Sequence, residues 1–439
     1  MKSVLIAILL VCCVASVGFS QENLNLDQSI QIALEKSPVV LKTKAEIKAA
    51  EAVAGQAVAG FLPQLSLSAG VGKYYAEPMN VEITMMGSPT VFAYGTDEQA
   101  DMSRYSASLS QALFTGGKLM SSVSMANKGL DIARQELRRI TQEVKYNVIS
   151  AYYGVLKAQG LVELSDQSVK MAKNHLARIN ALVKAGMSTR ADVLRGEVQV
   201  AQAEIALTRA KQGLDIAQNS FNNTIGRDLE TTVTLRKIEY DPAKIEAYSY
   251  KQVLTIAYAN RPDWLQYILT KKISQDEVGV AYSGLWPMLS LVGSYDVNST
   301  KYPSFQSDST SWTAMLSGAW NIFDGTATWH KINEAKAKVE AGQADETNVK
   351  RAIALEVKDA NFAIKSSLEG LEAANKAKEL AEENHNIAEL RYNSGVGTNL
   401  EVIDAQVALT QAGIDQLTAQ YDLLLARAKL NKVVGKEIY

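Results

Sequence analysis

Cysteine is nearly missing from this sequence. The only two, Cys12 and Cys13, stand side by side in the apolar stretch near the amino terminus. Lys2, the apolar run Val4–Val17 and the small-residue end Gly18-Phe19-Ser20 read as an export signal over residues 1–20. If cleavage follows Ser20, the remaining chain has no thiol for a disulfide, a nucleophile or a metal. A lipid on Cys13 is the alternative, although Cys12 stands where lipidation favours a small residue. Proline is scarce and confined: of eight, none lies in 90–241 or 304–439. Aromatics make up only 7%, which argues against an all-β protein and for long helices. The net charge of -2 offers neither a basic surplus for nucleic acid nor an acidic tail. No later run has the ~18 consecutive apolar residues of a membrane-spanning helix. An exported chain of this kind could cross a lipid layer only as strands.

What the sequence does contain is a repeat. Residues 21–226 form a first unit, 227–250 a linker and 251–439 a second unit. Pro38 and Pro262 stand 224 residues apart, as do Pro63 and Pro287. Further on, Gly186 and Gly395 stand 209 apart, as do Asp192 and Glu401. The shortening by 15 residues falls in the segment between strands, where loops tolerate insertions. A two-fold internal repeat of this length dictates one architecture built twice.

Each unit opens with a helical pattern broken at proline, Ser37-Pro38 in the first, with Asp27 a candidate N-cap. The period then changes to two. Strands are expected over about 64–75 and 104–113, then over about 288–298 and 310–321. Leu65, Leu67, Ala69 and Val71 share one strand face, and so do Trp312, Ala314, Leu316 and Gly318. Residues 76–103, with Pro78, Gly87, Pro89 and Gly95, read as a long exposed loop. Very long helices follow over about 118–185 and 328–394, then shorter ones over about 188–223 and 397–434.

The last helix carries two apolar seams. One runs through Leu400, Ile403, Val407 and on to Ala428; the other through Val402, Leu409, Gln416, Leu423 and Leu430. Two seams require two neighbours. A solid four-helix bundle and a wall of helices in a tube both meet that requirement. Four strands cannot close a membrane barrel, because such barrels start at eight. Either the strands form a small soluble sheet, or several chains share one barrel, and three chains would give 12 strands. Tyr74, Tyr105, Tyr295, Trp312 and Trp320 suit an aromatic belt at a membrane interface.

The order helix, strand, loop, strand, very long helix, Gly turn and helix, given twice behind an export signal, resembles the TolC family of outer-membrane efflux proteins. The likeness covers residues 24–435. It rests on Ala33–Pro38, Phe61-Leu62-Pro63, Leu113–Gly117, Ala151-Tyr152, the two Gly turns and Glu401–Ala405. The resemblance implies a mainly α homotrimer with a small β part. Its shared 12-stranded barrel would lie in the outer membrane of a Gram-negative bacterium, and its helical barrel would extend into the periplasm. It implies docking to a periplasmic adaptor and an inner-membrane pump or ABC transporter, for efflux or type I secretion. An exported coiled-coil scaffold or adhesin would explain the seams and the signal, but not the paired alternating strands.

By the same resemblance, Glu401 and Asp404 match an acidic pair at the periplasmic entrance, where three copies would stack as carboxylate rings. A first-turn acid at a helix dipole is the simpler account of Asp192 and Glu401. Tyr392 and Asp192 match positions that hold the entrance closed. The basic residue expected at Gly397 is absent, leaving Arg190 or Arg195 as substitutes. Gly186-Met187-Ser188-Thr189 and Gly395-Val396-Gly397-Thr398 match the adaptor-facing tips, and both also read as Gly termination followed by a Thr cap. No catalytic, cofactor or metal set emerges. His175, His330 and His385 are scattered and read as solvated surface. Gly116-Gly117-Lys118 lacks the flanking residues of a phosphate loop.

Overall fold

A computed structural model describes residues 23–75, 77–85, 88–94, 98–236 and 249–438. The export signal and residues 237–248 of the linker lie outside them. The elements run β1 (Asn23–Leu24), α1 (Leu26–Lys36), α2 (Pro38–Ala59), β2 (Gln64–Tyr74), β3 (Met79–Met85), β4 (Ser88–Tyr94) and β5 (Ala100–Phe114). There follow α3 (Lys118–Lys184), α4 (Arg190–Thr224), β6 (Thr234–Leu235), α5 (Tyr250–Asn260) and α6 (Pro262–Ser283). The chain closes with β7 (Met288–Lys301), β8 (Gln306–Ala319), α7 (Ala327–Asn393) and α8 (Asn399–Val434). The two long helices, α3 and α7, have 67 residues each.

Three local details depart from the sequence expectation. Asn25, not Asp27, caps α1, through a reciprocal box with Gln28: the Gln28 amide donates to Asn25 Oδ1 at 2.7 Å and the Asn25 amide to Gln28 Oε1 at 3.0 Å. Within the segment expected to be loop, β3 and β4 pair as an antiparallel hairpin from Met79↔Tyr94 to Met85↔Ser88. The segment looked like loop because Pro78, Gly87, Pro89 and Gly95 are spread along it. The expected linker is also partly anchored. Asn222 Nδ2 donates to the carbonyls of Leu229 (3.1 Å) and Thr231 (2.7 Å), and β6 pairs in parallel with β1.

The chain divides into two compact units. One is drawn from Glu46–Arg134 and Gln266–Thr347, the other from Met1–Ala45, Gln135–Leu265 and Asn348–Tyr439. The first unit holds a four-stranded antiparallel sheet of order β2-β5-β7-β8. Its register puts the alternating residues of all four strands on common faces. Leu67, Ala107, Tyr295 and Trp312 form one row, and Ser68, Ser106, Asp296 and Ser311 the row beside it on the opposite face. The polar face is tied by Ser66–Ser108 (2.6 Å) and by Arg104 Nε donating to Asn298 Oδ1 (2.9 Å). On the apolar face Leu65, Leu67 and Leu316 are more than 60% exposed, so this face has no cover among the described residues.

The aromatic set divides in the structure. Tyr105, Tyr295 and Trp312 share the apolar face in neighbouring rows. Trp320 lies eight residues beyond Trp312, about 26 Å along a strand, and donates its Nε1–H to the Leu285 carbonyl at 3.1 Å. Phe61, Phe114, Trp286 and Phe323, all exposed, also lie at the helix-facing ends of the strands. Tyr74 leaves the set. Its register with Ala100 places it on the polar face, because side chains alternate at every residue.

In the second unit the helices line up side by side. Gly196 of α4 faces Leu176 and Ile179 of α3, and Lys173 of α3 pairs with Glu204 of α4 at 2.7 Å. On its other side α3 meets α8, where Gly160 faces Leu417 and Leu164 faces Gly413. Helix α8 in turn meets α7, with Ala388, Val402 and Ala405 buried together and Gln416 donating to Asn375 at 2.8 Å. The order is α4-α3-α8-α7. The end helices keep apolar residues exposed: Val198, Ile205 and Ile216 on α4, Leu355, Phe362 and Leu380 on α7. The core of this unit gathers Val148, Tyr152, Val155 and Leu156 of α3 with Phe221, Ile225, Leu24 and Leu235.

Candidate functional site

The two Gly turns lie at the ends of the helix pairs α3–α4 and α7–α8. Each helix before the turn stops because its glycine adopts a left-handed backbone, φ 73° at Gly186 and 75° at Gly395. The helix after each turn starts on a threonine. Thr189 and Asp192 form a capping box, with Thr189 Oγ1 donating to Asp192 Oδ2 at 2.6 Å. Thr398 caps α8 by accepting from the Glu401 amide at 3.3 Å. Between the capping elements, Met187 and Val396 are at least 70% exposed. Both turns therefore meet the local requirement of helix termination and also project apolar side chains into solvent.

The four helices converge here on one buried polar cluster. Asn399, the first residue of α8, donates from Nδ2 to the Asp192 carboxylate at 3.2 Å and to its carbonyl at 3.3 Å. Its Oδ1 lies 2.7 Å from His175 Nε2 on α3. Because the amide nitrogen is committed to Asp192, the oxygen accepts, and His175 carries its proton on Nε2. The ring of Tyr392 on α7 packs edge-on against that of His175 at 5.4 Å between centroids. His175 is 3% exposed and His385 8%, so both are buried, not the solvated residues that their polar surroundings suggested. The Nδ1 atoms of both rings lack a hydrogen-bond partner among the described residues. His330 is exposed, as expected.

Apart from the Asp192 carboxylate, the charges lie around the cluster. Arg178 of α3 reaches Glu389 at 3.6 Å and Asn393 at 3.3 Å, both on α7. Arg391 reaches Glu401 at 3.4 Å, joining α7 to α8 across the turn. Asp404 is exposed and pairs with no cation among the described residues. Arg190 and Arg195 are exposed and pair with no carboxylate there either. Hydrogen bonds from Thr189 hold the Asp192 carboxyl below the ordinary carboxylate range, against a smaller opposing effect of burial. Burial pushes the Tyr392 hydroxyl up and the His175 imidazole down.

The missing base at Gly397 has a steric cause. A Cβ there would lie 2.9 Å from the Tyr392 amide nitrogen and 3.0 Å from Arg391, because the turn folds back on the end of α7. The cation beside Glu401 comes instead from Arg391. Gly397→Ala is expected to open this turn at a cost of about 1–3 kcal/mol. Limited proteolysis should then cut the variant between 394 and 399 faster than the parent; equal rates would refute the close approach.

The sequence pointed to Asp192, Tyr392 and Glu401 but passed over Asn399, His175 and Arg391. A signal for His175 did exist. It stands in the stripe Val169, Ala172, His175, Ile179, whose spacing of three and four residues marks a packed face.

The family model described as outer membrane efflux protein matches residues 29–227 and 253–436 of this chain. Among curated proteins, CyaE of Bordetella pertussis is 25% identical over 387 residues, covering 88% of this chain and 78% of its own. The outer membrane protein TolC of Vibrio cholerae is 22% identical, covering 94% of this chain and 90% of its own. Among solved structures, CusC, studied for transmembrane channel formation, superposes with a TM-score of 0.80 at 14% identity, covering 97% of this chain and 95% of its own. No helix among the described residues is long and apolar enough to cross a membrane.

Proposed function

The chain belongs to the outer membrane efflux protein family, and we propose that three copies form a channel through which substrates leave passively. The family is one of channels, not enzymes, and its place is the outer membrane of Gram-negative bacteria. The observation that carries the trimer is the four-stranded sheet, open at both edges. Neither β2 nor β8 pairs further among the described residues. Open edges cannot stay in lipid, because unpaired N–H and C=O groups find no partner there. Three sheets joined edge to edge give 12 strands and no edge. The apolar rows from Leu65 and Leu67 outward would then face lipid, and the serine-rich rows would face water. Tyr105, Tyr295 and Trp312 would form one aromatic girdle and Trp320 the other. Their separation fits the ~25 Å apolar band of such barrels.

The helices support the same assembly. In the order α4-α3-α8-α7 the two end helices expose apolar seams, and neighbouring copies would cover them to make a helical barrel in the periplasm. The tips at Gly186–Thr189 and Gly395–Thr398 would dock onto a periplasmic adaptor, with Met187 and Val396 as apolar contacts. The adaptor would link the channel to an inner-membrane pump or ABC transporter, in efflux or type I secretion. Glu401 and Asp404, one helical turn apart, would stack as two carboxylate rings at the entrance. Tyr392 and Asp192 would belong to the contacts that close it.

The test is expression of the whole chain followed by membrane fractionation. The expected result is a heat-modifiable trimer in outer membranes that, once purified, conducts ions across planar bilayers. A soluble, elongated monomer without conductance would overturn the proposal and favour an exported coiled-coil scaffold.

A further inference from the structure

We propose that His175 is a positioning residue of the closed entrance, a latch that fixes Asn399 against Asp192 and lets go when the periplasm turns acidic. The proposal rests on the channel reading above and goes beyond it, because it assigns closure to a link among α3, α4 and α8.

The geometry of the link is specific. Among the described residues Asn399 alone joins His175 to Asp192 by hydrogen bonds, and it stands at the start of α8, 5% exposed. Its amide can face Asp192 only while its oxygen has a donor on the other side. His175 Nε2–H is that donor. Removing the donor leaves a buried carbonyl oxygen unsatisfied, and the amide is then free to rotate. The start of α8 would lose its attachment to the start of α4, and with it the link between the two tip turns.

The same ring supplies the trigger. In the latched state Nδ1 is buried and has no hydrogen-bond partner among the described residues. A proton there would create a buried charge whose new N–H has no partner, at a cost the solvated ring of an open entrance avoids. The charged and titratable groups around the ring are few. Arg178 on its own helix opposes the proton. Glu389 on α7 favours it, but lies 3.6 Å from Arg178 and is partly neutralised. His385 on α7 opposes the proton whenever it is charged itself. Tyr392 presents a ring, and Asp192 reaches His175 only through Asn399. Burial is the largest influence and lowers the affinity of His175 for a proton below the ordinary value of 6.5. The sign follows by linkage. Closure has its full strength above 6.5 and weakens as pH falls through that value toward the lower one of the latched state. The limit is a tenfold shift toward opening per pH unit. Asp192 stays ionised across this range because its own affinity for a proton is depressed, so the response belongs to the imidazole.

The experiment compares the purified full-length trimer with three variants in planar bilayers at pH 7.5 and 5.0. For the parent, open probability should rise several-fold at the lower pH. In His175→Gln the side-chain amide can still donate to Asn399 but cannot titrate, so opening should stay low at both values. In His175→Ala and in Asn399→Ala the link is gone, and opening should be high at both. Unheated gel mobility as a trimer qualifies each variant. A parent-like pH rise in His175→Gln, or parent-like closure at pH 7.5 in both alanine variants, overturns the latch and leaves the channel intact. Absence of conductance from the parent itself overturns the channel reading and the latch with it.

Discussion

Replacing the proposed entrance pair Glu401 and Asp404 together by alanine is expected to abolish the cation preference that their carboxylate rings would give the channel. The two carboxylates share a helix face, but their surroundings differ. Glu401 lies 3.4 Å from Arg391, which cancels part of its field. Asp404 has no cation beside it among the described residues. The Asp404→Asn change alone should therefore remove more selectivity than the geometry of two equal rings would suggest. Glu401→Gln should act in part by leaving Arg391 uncompensated. In a trimer three copies of each side chain would bring like charges into one narrow passage, where the field is screened less than on an open surface. The reversal potential in a salt gradient reports the preference directly, and the double variant should shift it close to the value of a non-selective pore. The shift should shrink as ionic strength rises. Unchanged reversal potential and conductance in the double variant would remove the acidic pair from the entrance.

Tyr152→Ala is expected to be the most destabilising single change in the helical unit, by about 3–5 kcal/mol. Tyr152 is fully buried at the centre of that core. Its ring meets Tyr153 and Phe221 edge-on, with centroids 6.2 and 6.0 Å away. Its hydroxyl points at the carbonyls of Arg236 (2.7 Å) and Leu24 (3.2 Å), so one side chain clamps β6 and β1 onto α3. Burial pushes the hydroxyl up to about 12, which keeps it a donor at any physiological pH. Two losses add in the alanine variant: a cavity, and the hydroxyl donor to the Arg236 carbonyl, while the Leu24 carbonyl keeps the Arg236 amide as a donor at 3.2 Å. Tyr152→Phe keeps the ring and loses only the donor, at about 1–3 kcal/mol. Denaturant unfolding of the detergent-solubilised protein separates the two. An alanine variant within 1 kcal/mol of the parent would contradict the clamp.

The parts of this molecule that sequence reasoning recovered share a property: their burial repeats locally. The alternation at Leu65, Leu67 and Ala69 implies a two-faced strand whatever its neighbour. The seam at Val402, Leu409 and Leu423 implies a packed helix face. The spacing of Gly186 and Gly395 makes their turns equivalent. The errors at Tyr74 and His175 fall where a residue's place depends on its neighbours in space. Tyr74 looked like a belt residue until register with Ala100 placed it on the polar face. His175 looked solvated because Lys173, Asn174 and Arg178 surround it in sequence, whereas in space Asn399 and Tyr392 enclose it. The hairpin of β3 and β4 was hidden because its turn residues also spell loop.

The sequence by itself determined the internal repeat, the alternating strand faces, the two Gly turns and the family, because periodicity and chain breakers act over a few residues. Only the tertiary structure decided which cation stands beside Glu401, why none can stand at Gly397, and how Asn399 joins three helices around a buried imidazole. The first two depend on how closely one turn folds back on the end of its own helix, the last on the approach of segments 224 residues apart, His175 and Asn399, and no sequence pattern encodes either distance.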